Sequence, residues 1–157
     1  MSAELPKGTV KVKAYLFDCT SGTAKPLEGK LLLYKNLELH KGIIGKAAEL
    51  SEVQIKTFLM AFNESEKFSP AAGCHIPHHG LVFYDKNYKA IGYYDICFQC
   101  SNVSSSIKDF KSVDFKLQPM KKLFKEMGFP ILEDFTEYSK LFNKQKKDNK
   151  MLGSDSK

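Results

Sequence analysis

The chain has 157 residues, 43% of them hydrophobic, with 12 Phe, 7 Tyr and no Trp, a composition that supports a packed aromatic core and excludes a disordered polymer. Of the formal charge of +6, residues 144–157 supply +3, from Lys144, Lys146, Lys147, Lys150 and Lys157 against Asp148 and Asp155; the body is mildly basic and has no Arg, so nucleic acid is not an expected partner. The chain contains no apolar run of about 18 residues, which argues against a membrane span, and its start, MSAELPKGTVKVKAYLF, reads straight into a strand, so the cytoplasm is the expected location.

Residues 9–17 alternate, with Val10, Val12, Ala14 and Leu16 on one face and Lys11, Lys13, Tyr15 and Phe17 on the other, as in a strand with one wetter side. Cys19-Thr20-Ser21-Gly22 and Pro26 form the next loop, and Leu31 to Tyr34 suggests a second strand in a hairpin with the first. His40, followed by Lys41 and Gly42, reads as a solvated loop histidine. Ser51 followed by Gln54 is a capping box, and Val53, Ile55, Phe58, Leu59 and Phe62 recur at helical spacing, which predicts a helix over Glu52 to Phe62.

Two β-rich segments, Gly80 to Tyr84 and Ala90 to Cys97, flank the turn residues Asp85 to Lys89, so Leu81 to Tyr84 is expected to pair antiparallel with Ile91 to Tyr94. Val113, Phe115 and Leu117 suggest one more strand. Pro119 suits the first turn of a helix that carries Leu123, Phe124 and Met127 and stops at Gly128 and Pro130. A last amphipathic segment holds Leu132, Phe135, Tyr138, Leu141 and Phe142. The expected whole is an α+β domain over residues 1–143, an antiparallel sheet of four to five strands covered by two to three helices, with a disordered lysine-rich tail over 144–157.

The chemically suggestive feature is a cysteine/histidine cluster, Cys74-His75-Ile76-Pro77-His78-His79 followed by Cys97-Phe98-Gln99-Cys100. A three-residue loop in which Asp85 pairs with Lys89, with a bulge near Tyr88, puts Phe83 opposite Ile91, Leu81 opposite Tyr93 and His79 opposite Asp95. His79, Asp95 and Cys97 would then share a face, with Cys74 and Cys100 just beyond the strand ends. The spacing Cys-x4-His-x17-Cys-x2-Cys offers zinc a nitrogen and sulfur ligand set in Cys74, His79, Cys97 and Cys100, with Asp95 behind the imidazole. A two-residue loop at Asn87-Tyr88 would instead set His78 opposite Cys97 and make His78 the candidate ligand.

These segments also resemble a family of small bacterial proteins of no established activity. The resemblance rests on Cys74, Pro77 and His79, the run Gly80-Leu81-Val82-Phe83-Tyr84-Asp85, Ile96-Cys97-Phe98-x-Cys100, and Leu123 to Pro130, and covers roughly residues 50–130. The chain departs from that pattern with His78 where Arg is usual and Tyr88 where Gly is usual, while Cys74, His79, Cys97 and Cys100 are matched.

Three other readings compete with a zinc-binding or interaction module. Cys97 is an inert core thiol; or Cys97 and Cys100 form a thiol/disulfide redox pair, with a Cys74 to Cys100 bridge as its variant; or Cys97 is a nucleophile with His79 as base and Asp95 as its orienter, for which no oxyanion hole is marked. The sequence leaves open whether the protein is an enzyme.

Overall fold

The structure, a computed structural model, describes residues 3–20, 37–63, 76–107 and 117–154. Five strands, β1 (Lys11–Phe17), β2 (Ile43–Glu49), β3 (His79–Tyr84), β4 (Ala90–Cys97) and β5 (Asn102–Ser105), form one antiparallel sheet in the order β2-β1-β3-β4-β5. Three helices, α1 (Glu52–Asn63), α2 (Leu117–Glu126) and α3 (Phe135–Ser154), pack with it, giving the expected α+β architecture. One face of the sheet, carrying Val12, Ala14, Leu16, Leu81, Phe83, Tyr94 and Ile96, shares its core with Phe58 and Phe62 of α1, Met120, Leu123 and Phe124 of α2, and Tyr138 and Phe142 of α3. On the other face Tyr15, Phe17 and Val82 form a smaller cluster with Cys19, Ile76 and Tyr93.

The β3–β4 turn has the expected three-residue loop: the Asp85 amide donates to the Lys89 carbonyl at 3.0 Å and Tyr88 adopts φ 58°. Beyond it the register departs from expectation. Tyr84 pairs with Ala90 but Phe83 pairs with Gly92, so Ile91 is an extra residue on β4, and His79 lies opposite Ile96 rather than Asp95. The bulge lets Ile91 pack toward the helices without turning Tyr94 and Ile96, both fully buried, to the opposite face. Gly92 also admits the 106–107 segment, since a Cβ there would sit 2.8 Å from Ile107 Cδ1.

The capping box at α1 is reciprocal. The Ser51 amide donates to Gln54 Oε1 at 2.9 Å and the Gln54 amide to Ser51 Oγ at 3.2 Å. Phe58 and Phe62 meet Tyr94 edge-on, with centroids 5.4 and 5.3 Å away, whereas Val53, expected in the apolar stripe, is 72% exposed. At the end of α2 the Phe129 amide donates to the Phe124 carbonyl and the Gly128 amide to Lys125, with Gly128 at φ 87° and the rings of Phe124 and Phe129 in contact. This satisfies the last carbonyls in the Schellman manner and turns the chain toward α3. Leu117, expected in a strand, begins α2; the expected strand residues Leu31 to Tyr34, Val113 and Phe115 lie outside the described residues.

Residues 144–154, expected as part of a disordered tail, continue α3. The reason is a specific contact. Gln145 accepts from the Gly45 amide at 2.7 Å and donates to the Ile43 carbonyl at 3.1 Å, satisfying both peptide groups on the margin of β2. Tyr138 meanwhile touches His78 and His79 at the start of β3, two strands away. The seven-residue step from Tyr138 to Gln145 spans about 10 Å of helix, which matches two strand spacings of roughly 4.8 Å, so α3 runs across the sheet end formed by Phe17, Ile43, His79 and Cys97.

Replacing Gln145 with Ala should leave the fold intact and cost about 1 kcal/mol in chemical denaturation. The change should be concentrated in one place: hydrogen exchange at the Gly45 amide should accelerate well before that of the β1 and β3 amides.

Candidate functional site at one end of the sheet

Charged and titratable side chains are rarely fully buried, yet five of them, Asp18, His40, His78, His79 and Asp95, are all buried here. Cys19, Cys97 and Cys100 are buried with them. Most of these groups lie where β1 ends, β3 begins and β4 ends.

His79 opens β3 and points with Ile96 to the helix-covered face. Its ring meets Phe98, Phe124 and Tyr138 edge-on, and its Nε2 lies 2.7 Å from the Pro130 carbonyl, which can only accept, so Nε2 carries the proton. Burial pushes its pKa down to about 3, against a partial lift from that same bond, and the ring is neutral. The hydrogen bond ties the loop after α2 to the sheet. Gln99 holds the same loop by donating to the carbonyls of Leu132 and Glu133, and the Leu132 amide donates to the Tyr138 hydroxyl at 2.8 Å. Three segments far apart in sequence, at His79, Cys97 to Cys100 and Gly128 to Glu133, are thereby fastened together.

His78 is 4% exposed and stacks on Tyr138, centroids 3.9 Å apart and planes 13° from parallel, with Phe135 on the same line at 5.9 Å. Burial lowers its pKa to about 4, partly offset by the Asp18 charge and a bond to the Ile76 backbone, and its Nε2 makes no hydrogen bond. Asp18 is held by both Thr20 groups, amide at 3.1 Å and hydroxyl at 2.7 Å. Tyr138, buried between the histidines, has its hydroxyl pKa pushed up to about 12, chiefly by burial, with the neighbouring Cys97 adding to the rise.

Cys97 ends β4, and its Sγ accepts from the Cys100 amide at 3.2 Å. Cys97 is a free thiol, whereas Cys100 is disulfide-bonded. The turn that carries them is pinned at Ser101, whose φ is 53°.

The four residues expected as zinc ligands therefore divide. Cys74 lies outside the described residues; Cys97 and Cys100 are adjacent; His79 alternates to the other side of the sheet from Cys97 and spends its Nε2 on Pro130. Among the described residues no group of three or more His, Cys, Asp or Glu side chains is placed to hold a metal ion. One step beyond the observed pairs, the register puts His78 at the level of Cys97, the arrangement expected of the other loop. Asp95 pairs with Gly80, so the His79–Asp95 partnership is absent. His40, expected in solvent, is buried against Phe17 and accepts from the Gly42 amide at 2.8 Å. The contributions of Asp18 and Tyr138 carry no signal in the sequence beyond a helical apolar stripe; Gly92, interrupting a β-rich run, is the signal that marks the bulge.

No family model, no curated protein and no solved structure matches this chain.

Two measurements probe this end of the sheet. His78 and His79 are neutral in the fold but bind protons near pH 6.5 when unfolded, so the unfolded chain takes up more protons as pH falls. Stability should be fully present above about pH 6.5 and decline steadily toward pH 4, with His78 alone accounting for about 3 kcal/mol. His78→Phe, which keeps the stack, should flatten the upper part of that slope in urea denaturation. At Gly42 a Cβ would lie 2.3 Å from the Asp18 carbonyl oxygen and 3.0 Å from the His40 ring; Gly42→Ala should therefore lower stability by more than about 2 kcal/mol, read from the same titration.

Proposed function

We propose that the protein is a thiol/disulfide redox protein using Cys97 and Cys100, and that the observation carrying this reading is the Cys100 amide aimed at the Cys97 sulfur at 3.2 Å. An N–H donated to sulfur supports the negative charge of a thiolate, which is the attacking species in disulfide exchange. Here the donor belongs to a strand-end turn instead of a helix start. The free thiol of Cys97 next to a disulfide-bonded Cys100 adds the second component of an exchange site.

The step balances without an outside oxidant. The Cys97 thiolate attacks the Cys100 sulfur, a Cys97–Cys100 bond forms, the bond from Cys100 to its former partner breaks, and that partner leaves as a thiolate that takes up a proton. In this reading the partner of Cys100 is Cys74, the bridge that the sequence offers as a variant of the redox pair. A lasting disulfide suits an oxidising compartment better than the cytoplasm, so this reading moves the expected location outside the cytoplasm. The burial of Cys97 limits the reaction to partners within the protein and to small thiols such as glutathione.

Alkylation of the denatured, unreduced protein should add label to Cys19 and Cys97 alone, and to all four cysteines after reduction. Equilibration with glutathione buffers should then yield a second species carrying a Cys97–Cys100 bond, absent in Cys97→Ser. Four free thiols without reduction, or no exchange at any glutathione ratio, would rule this function out. Uptake of one equivalent of zinc by the reduced protein, lost in Cys97→Ser and His79→Gln, would establish the zinc module in its place.

A further inference from the structure

At the opposite end of the β3–β4 hairpin, about 20 Å away along the strands, a cleft of about 390 Å³ opens between residues 37–39 and the turn, lined by Leu37, Leu39, Tyr84, Tyr88, Lys89 and Ala90. Its walls are aliphatic and aromatic. Of the three non-glycine residues with left-handed backbone among the described residues, two line this cleft: Leu37 at φ 63° and Tyr88 at φ 58°. Both side chains are large and exposed, 51% and 67%. The conformation of Tyr88 belongs to the hairpin loop, and Leu37 carries a similar left-handed φ on the facing wall. A branched side chain held there costs roughly 1–2 kcal/mol, and such strain concentrates at ligand clamps.

Lysines line and flank the cleft. Lys89 is part of the lining and forms no ion pair among the described residues. Lys13 Nζ stands 5.7 Å from the centre of the Tyr84 ring and Lys11 Nζ 4.8 Å from that of Tyr88. Among the carboxylates, Glu49 is paired with Lys11 at 3.2 Å and Asp85 accepts from the Asn87 and Lys89 amides, while Glu38 is not in the lining. The volume falls in the range of small-molecule sites, with apolar walls to bury a body and an ammonium to fix its orientation.

We propose that this cleft binds a small monocarboxylate with an apolar body of about a dozen non-hydrogen atoms, the body lying between Tyr84, Tyr88 and Leu37 and the carboxylate reaching Lys89. Lysine suits the task because its compact charge needs no fixed planar geometry.

The test uses 4-butylbenzoate, its neutral amide 4-butylbenzamide and the cation 4-butylbenzylammonium, titrated into the full chain and followed by amide chemical shifts. The benzoate should bind at least about tenfold more tightly than the amide, with shifts confined to residues 37–39 and 84–90, and the cation should bind more weakly still. Lys89→Gln should erase the preference for the carboxylate over the amide while leaving the melting temperature unchanged. Tyr88→Gly, which removes a wall and relieves the left-handed backbone, should weaken all three ligands alike. Equal binding of benzoate and amide, shifts elsewhere, an unaffected Lys89→Gln variant or no binding at millimolar ligand would each overturn the proposal. Because Cys97 and Cys100 lie at the other end of the hairpin, this result is independent of the thiol reading.

Discussion

One additional residue on β4 determines what every side chain beyond it can meet. From the turn, alternation alone would carry Tyr93, Asp95 and Cys97 to the helix-covered face with Ile91. That arrangement would bury an acid and a thiol among Phe58, Phe62 and Phe124 and turn Tyr94 and Ile96 outward. The bulge at Ile91 resolves the conflict locally, at a glycine, and the remaining strand presents Tyr94 and Ile96 to α1 and α2. The placement of the histidines follows from it. His79 falls among aromatic rings as a clamp on Pro130, and His78 is left on the side where Cys97 ends its strand.

Polar groups at the sheet end are held chiefly by backbone. His40 takes the Gly42 amide, Asp18 the Thr20 amide, Cys97 the Cys100 amide, and His79 the Pro130 carbonyl. Each bond crosses a chain reversal or a link between elements, so desolvation of the side chain is offset by satisfying a peptide group that would otherwise be buried alone. His78 bonds the Ile76 backbone as well, but its ring also stacks on Tyr138 and its Nε2 makes no bond. A polar atom so placed is costly for a purely structural residue.

Local signals in the sequence were sufficient for much of the fold. The Ser51 and Gln54 pair, the Pro119 to Gly128 segment and the Asp85 to Lys89 turn each specify their own geometry through contacts within a few residues, and α1, α2 and the hairpin form accordingly. Edge strands were not legible: β2 reads IIGKAAE, with Ala, Lys and Glu where β-formers are expected, and it is a strand because β1 offers it a partner. β5 has four residues. The site was legible as a neighbourhood but not as a constellation. Cys97 and Cys100 are adjacent through a short turn, whereas His79 was misplaced by a bulge that depends on core packing across three elements, and Tyr138 arrives from a helix some forty residues later.

The amide of Gln145 has the same donor and acceptor pair as a peptide group, and at β2 it bonds a backbone amide and a backbone carbonyl as a neighbouring strand would. One glutamine of the lysine-rich end, which by composition resembles a disposable solubility tail, thus caps two peptide groups at β2. A chain shortened at Asn143 would lose this cap, and the Ile43 carbonyl and Gly45 amide would lose the partners that Gln145 gives them. A boundary drawn from composition at residue 143 therefore cuts away a side chain that stands in for a peptide partner at β2.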